Sequence, residues 1–162
     1  IAPAFVVGHS NGGNVALVLT AKYPQVVQKA VVMAGNAYVS ADFARYARGK
    51  WSERIPLTWA KQLAKLHDGV RYEGYWRELM DRTGTEIGRA PNYSAADLKK
   101  IKTPILIIQG ANDPTNAPSH HAEFMAANLP NARLWLAPKT GHSVHEEHPE
   151  EWVKRVTKFL QS

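Results

Sequence analysis

The 162-residue sequence contains no cysteine. That excludes a disulfide framework and any cysteine-ligated zinc site, and it removes the usual sign of redox compartment. Long hydrophobic runs are missing as well. The longest apolar stretches, Ala30 to Ala34 and Ile105 to Ile108, fall far short of the ~20 residues of a membrane-spanning helix. No membrane association is expected, and with no signal peptide visible the compartment stays open, with the cytoplasm favoured. Repeats and low-complexity tracts are absent. The formal charge is +6, but lysines and arginines are scattered among acids and no basic, aromatic-interleaved motif occurs. Nucleic acid is therefore not an expected partner. A starting methionine is also lacking: Ile1 runs almost at once into the strand-like Ala4-Phe5-Val6-Val7. The expectation is a chain that begins inside a larger parent sequence.

What is present suits one globular core, with 44% of residues hydrophobic and 21% charged. Phe5-Val6-Val7, ending at Gly8, reads as a buried strand. Helix-favouring residues follow from Asn14 to Tyr23, where Pro24 stops them. Lys29 to Met33 is a second buried strand, turned away by Gly35-Asn36. Residues 37 to 100 hold no convincing strand but four helical pieces, near Ser40 to Arg48, Pro56 to His67, Tyr72 to Arg82 and Ser94 to Ile101. Thr103-Pro104 opens a third strand, Ile105 to Gln109, and the helix Ser119 to Leu129 follows it. A fourth strand, Arg133 to Leu136, precedes a last helix from Pro149 to Gln161. Strands alternating with helices predict an α/β fold with a parallel sheet of about four strands, flanked by helices. The domain plan is a first core segment over 1–36, a helical insertion over 37–100 and a second core segment over 101–162. Chemistry is expected at the carboxyl ends of the strands.

Gly8-His9-Ser10-Asn11-Gly12, followed by Gly13, matches the turn G-x-S-x-G, in which a serine sits on a strained strand-to-helix corner. Glycines two before and two after the serine leave room for the neighbouring strand and helix. The helix start behind Ser10 offers backbone N–H groups, that of Asn11 first, to a developing oxyanion. A serine hydroxyl needs a base, and candidates follow in the order acid then histidine: Asp113 just past the third strand and His142 just past the fourth. Singly, Asp113 is equally a turn-capping residue and His142 an ordinary surface histidine. Three residues in order, each after its own strand, predict a catalytic triad.

His142, His145 and His148 are spaced by three, but His145-Glu146-Glu147-His148 is not H-E-x-x-H, so no metal site is expected. His9 is expected to pack beside the turn. Among the aromatic residues near and within the insertion, Tyr38, Trp51, Trp59 and Trp76 are candidates to line a substrate pocket together with Asn11, since a lid presents apolar surface to the site it covers.

Gly8 to Gly13, Ala21-Lys22-Tyr23-Pro24, Gly35-Asn36-Ala37-Tyr38-Val39, Lys50-Trp51-Ser52-Glu53-Arg54, Pro104 to Pro114 and the Gly141-His142 turn together resemble the α/β-hydrolases of the valacyclovir hydrolase (biphenyl hydrolase-like) family. The resemblance runs over nearly the whole chain and matches the C-terminal half of such proteins. It implies a helical lid, hydrolysis of small esters including amino-acid esters, no cofactor, and Ser10, Asp113 and His142 as nucleophile, acid and base. Family members carry an aspartate after the nucleophile, which binds the substrate's α-ammonium group, where this sequence has Asn11. A neutral amide lacks that charge-assisted contact. The resemblance also implies that the strands before the nucleophile, and the loop giving the second oxyanion N–H, lie outside the chain. The rival expectations are a carbon–carbon bond hydrolase or perhydrolase of the same fold, and a catalytically impaired fragment. Ala4 to Val7 as a sheet edge predicts a homodimer or association with the N-terminal half.

Overall fold

The computed structural model describes residues 2–47, 49–89 and 91–162. Ile1, and the expected helix end at Arg48, lie outside the described residues. The elements are β1 (Ala4–His9), α1 (Asn11–Lys22), β2 (Val27–Met33), α2 (Ala41–Ala47), α3 (Leu57–His67), α4 (Tyr75–Ile87), α5 (Ala95–Leu98), β3 (Ile105–Gly110), α6 (Ala122–Asn128), β4 (Ala132–Ala137), α7 (Val144–Glu147) and α8 (Pro149–Gln161). The four strands form one all-parallel sheet in the order β1-β2-β3-β4. Among the described residues, no helix is long and apolar enough to cross a membrane.

Alternation along the central strands sends side chains to both faces, and each face buries its own cluster. Ala30, Val32, Ile105 and Ile107 meet Ala16 and Leu17 of α1, Ala122 and Met125 of α6, and Leu98 and Ile101 on one side. Val31, Met33, Leu106 and Ile108 meet Val144, Val156 and Phe159 of α7 and α8 on the other. Each large side chain so buried contributes ~1.5 to 3 kcal/mol of transfer free energy. Gly13, Ala16, Leu17 and Thr20 are the buried residues of α1 together with Asn14, at the i, i+3, i+4, i+7 spacing that faces a helix onto a sheet. In α8, Pro149 fits the first turn, where its missing N–H is no loss, and Glu150 and Glu151 complement the positive end of the helix.

Contacts divide the chain into two compact units, Ile1–Tyr38 with Pro91–Ser162, and Val39–Ala90. The helical unit is narrower than the expected 37–100 insertion. Leu98 and Ile101 are buried in the core cluster of the sheet unit, and Tyr93 donates its N–H to the Ala37 carbonyl, so the segment from Pro91 belongs with the sheet. Within Val39–Ala90, Gly84 of α4 packs so closely on Trp51 that a Cβ would sit 2.9 Å from its ring. Asp81 accepts hydrogen bonds from the Ser52 N–H and hydroxyl.

One expectation is corrected. β1 was expected to be buried, yet Phe5 and Val7 are each 46% exposed. As an edge strand, β1 pairs only with β2 among the described residues, so alternate side chains of an apolar strand face outward.

Candidate active site

Among the described residues, every one of left-handed backbone outside glycine falls just past a strand: Ser10 at φ 55°, Ala34 at φ 49° and Lys139 at φ 55° follow β1, β2 and β4. Such conformations cost of order 1 kcal/mol each and persist only where surrounding contacts hold them. At Ser10 the turn is held by its N–H donating to the Met33 carbonyl at 2.8 Å and by its carbonyl accepting from Asn14. A Cβ on Gly8 would lie 2.0 Å from the Gly12 carbonyl oxygen, and one on Gly13 would lie 2.9 Å from that of Met33. Gly12 itself has nothing within 4 Å of its Cβ position among the described residues. The glycine that makes room after the serine is therefore Gly13, one position beyond the motif, because helix α1 crosses β2 there.

Ser10 is half-buried and its hydroxyl makes no hydrogen bond among the described residues. Asn11 is exposed at the first position of α1, where backbone N–H groups have no partner within the helix. Catalytic hydrogen bonds of this kind often close only around a bound substrate.

The acid and the histidine are brought together. His142 Nδ1 lies 2.7 Å from Asp113 Oδ2, with the Asp113 side chain fully buried and that of His142 24% exposed. The two loops carrying them are laced: Ala111 and Asn112 donate N–H groups to the Ala137 and Thr140 carbonyls. A Cβ at Gly110 would fall 1.9 Å from the Gly141 oxygen, so only glycine lets the loops meet. Glu147 accepts from the Gly141 N–H at 2.9 Å and holds the histidine loop from α7.

Asp113 Oδ1 accepts from the Thr115 and Asn116 N–H groups at 2.8 and 3.1 Å, and Oδ2 also accepts from Gln109 Nε2 at 2.6 Å. Burial pushes this carboxyl up, but the hydrogen bonds from His142, Thr115 and Asn116 outweigh burial and hold it below the usual carboxylate value. Asn116 in turn donates through Nδ2 to the carbonyl of Ala34, securing that strained residue. Gln109, Asn116 and Glu147 were not singled out from the sequence. The available signal for Gln109 was an amide closing the apolar run Ile105-Leu106-Ile107-Ile108; for the other two there was none.

His9 does pack beside the turn. Its Nε2 donates to the His142 carbonyl at 3.1 Å, and its ring centroid lies 5.0 Å from that of His142 and 4.7 Å from that of His145. Burial lowers its proton affinity, against the opposing hydrogen bond to His142. Among the described residues no group of three acidic or histidine side chains is arranged to hold a metal ion.

The expected pocket residues belong to both compact units. Tyr38 is half-buried in the sheet unit, with its ring 5.0 Å from His121 and 5.7 Å from Phe124. No hydrogen bond or ring contact joins it to Ser10, Asp113 or His142 among the described residues. Trp51, Trp59 and Trp76 belong to the helical unit, where Trp76 is 4% exposed and Trp59 is 58% exposed.

A strained serine between strand and helix, with an aspartate–histidine pair at the ends of two later parallel strands, is the layout of the α/β hydrolases. The chain belongs to that family: the alpha/beta hydrolase family model matches residues 1–155. It is 32% identical to the serine hydrolase BPHL of Homo sapiens, over 96% of this chain and 54% of that protein. It is 30% identical to a pimeloyl-(acyl-carrier protein) methyl ester esterase of Neisseria meningitidis, over 99% of this chain and 70% of that protein. In structure it is similar to MGS-M2, an alpha/beta hydrolase enzyme from a deep-sea metagenome, with a TM-score of 0.75 and 27% identity, over 100% of this chain and 66% of that one. The chain thus spans about half the length of the BPHL proteins it matches, 54% in both human and mouse.

Proposed function

We propose that this chain carries the catalytic triad of a serine hydrolase acting on small carboxylic esters. The observation that supports it most is the 2.7 Å contact between His142 Nδ1 and Asp113 Oδ2, made beside the strained Ser10 turn. Asp113 fixes the tautomer that leaves His142 Nε2 free as an acceptor. Ser10 Oγ adds to the ester carbonyl carbon while His142 Nε2 takes its proton. The Asn11 N–H at the start of α1 stabilises the oxyanion. His142 returns the proton to the departing alkoxide, leaving an acyl group on Ser10. Water, deprotonated by His142, then attacks the acyl carbon, and the carboxylic acid leaves as Ser10 regains its proton. The chemistry calls for no cofactor. Asn11, the residue after the nucleophile, is assigned to substrate binding. The name of the Neisseria relative, a methyl ester esterase, favours ester chemistry, and that of the human relative, a serine hydrolase, favours a serine nucleophile.

The test is labelling by a fluorophosphonate probe with parallel assays on p-nitrophenyl esters and vinylogous diketones. Label on Ser10 and ester turnover, both abolished in Ser10→Ala, are expected. Ser10 makes no side-chain hydrogen bond among the described residues, so that variant keeps its fold. Diketone cleavage without ester turnover, or ester turnover in Ser10→Ala within a few-fold of the parent, overturns the reading.

A further inference from the structure

Strand β3 is buried along its whole length, and its one polar side chain is Gln109, at 0% exposure. A buried amide is unfavourable unless its donors and acceptor are matched. Here the match is one-sided: Nε2 donates to Asp113 Oδ2 at 2.6 Å and to the Asn116 carbonyl at 3.2 Å, while Oε1 is buried without a partner among the described residues. Both groups facing Nε2 are pure acceptors, so the amide orientation is dictated. Turning it over would set Oε1 against a carboxylate and a carbonyl. A methionine of similar volume would fill the same space with no unmatched acceptor. The amide is thus spent on Asp113.

The four contacts of that carboxylate divide its labour. Oδ1 is held by two backbone N–H groups, Thr115 and Asn116, which fix where the carboxylate lies. Oδ2 is shared between His142 Nδ1 and Gln109 Nε2. A second donor on the oxygen that meets the histidine draws charge from that contact, and its direction limits how Oδ2 can turn toward the imidazole. We propose that Gln109 is a positioning residue of this site, acting through Asp113: its amide sets the geometry and strength of the Asp113–His142 hydrogen bond. The proposal rests on the triad reading for its effect on Ser10, but not for its effect on the pair.

The experiment uses the full 162-residue chain with Gln109→Met and Gln109→Glu. The readouts are the proton NMR resonance of His142 Nδ1–H, the rate of Ser10 labelling by a fluorophosphonate as a function of pH, and thermal unfolding. In Gln109→Met the resonance is expected to move and labelling to slow about tenfold, the scale of one charge-assisted hydrogen bond, with cooperative unfolding retained. Gln109→Glu sets a second carboxyl against Oδ2, and two such groups share one proton. While that proton stays, the variant donates as glutamine does and labels like the parent. As pH rises and it leaves, labelling falls where that of the parent does not. An unmoved resonance and parental labelling in folded Gln109→Met overturn the proposal. Should that variant not fold, a Gln109→Glu pH profile parallel to the parent does so. If the parent chain takes no label, the triad reading fails, and the Nδ1–H resonance alone still decides the role of Gln109.

Discussion

The His9 ring donates from Nε2 to the backbone carbonyl of His142 at 3.1 Å, tying the residue before the strained serine to the loop that carries the histidine. The rings of His142 and of His145 in α7 lie 5.0 and 4.7 Å from the same ring, so three imidazoles share this corner.

Acid is expected to weaken the fold at this corner and at His121, which packs against Tyr38. Burial lowers the proton affinity of His9, and burial also lowers that of His121, both from an ordinary value of 6.5. The folded chain therefore binds fewer protons than the unfolded chain at these sites, and stability present above pH 6.5 is lost as pH falls through the lower folded values. Asp113, also held low, adds a second loss only below its ordinary value of 3.8. Urea unfolding at pH 7.5 and 5.5 checks this. The midpoint should drop at pH 5.5, and by less in His9→Gln, which keeps a donor near Nε2 without a titrating ring. An equal drop in both proteins would remove His9 from the account.

Asn11 should govern selectivity for amino-acid esters. Asn11→Asp adds a carboxylate to the first turn of α1, and a charge-assisted contact to an ammonium group is worth ~1.5 to 3 kcal/mol. The kcat/KM ratio for a valyl ester over the matching ester without the amine should rise about tenfold or more. A constant ratio would put the ammonium site elsewhere.

Two glycines of one motif should behave oppositely. Gly8→Ala forces a Cβ to 2.0 Å from a backbone oxygen, and a loss of about 3 kcal/mol or more is expected because main chain must move. Gly12→Ala meets nothing within 4 Å among the described residues, and alanine in a helix gains ~0.5 to 1 kcal/mol over glycine. Thermal unfolding of the two variants separates them, and equal losses would contradict the packing described for the turn.

The outward side chains of β1 carry an assembly prediction. Phe5 and Val7 are half-exposed on an apolar strand whose second edge is unpaired among the described residues. Such edges template pairing with another chain, and a two-fold dimer is the simplest closed arrangement. Light scattering of the 162-residue chain over a dilution series should give a dimer mass. A folded monomer at low micromolar concentration would rule this out.

Local chemistry made much of the molecule legible in the sequence. Short apolar runs, the first and third closed by Gly8 and Gly110, marked the strands, proline and glycine bounded the helices, and alternation of the two implied the parallel sheet. Gly8 to Gly13 announced the serine turn because its constraints act between near neighbours. Asp113 and His142 were readable from their order, each just past a strand, and the sheet brings them to 2.7 Å. Other features rest on contacts between residues distant in sequence, which no local pattern encodes. The need for glycine at position 13 comes from the Met33 carbonyl crossing it, and that at Gly110 from the Gly141 loop. Pro91 to Lys100 read as part of the helical insertion because its spacing is helical, but burial of Leu98 against the sheet assigns it to the core. The sequence by itself determined the candidates to attack, accept a proton and orient the base. Only tertiary structure decided that Gln109 would share a carboxylate oxygen with His142, since a strand's inward face acquires its neighbours only when the loops above it close.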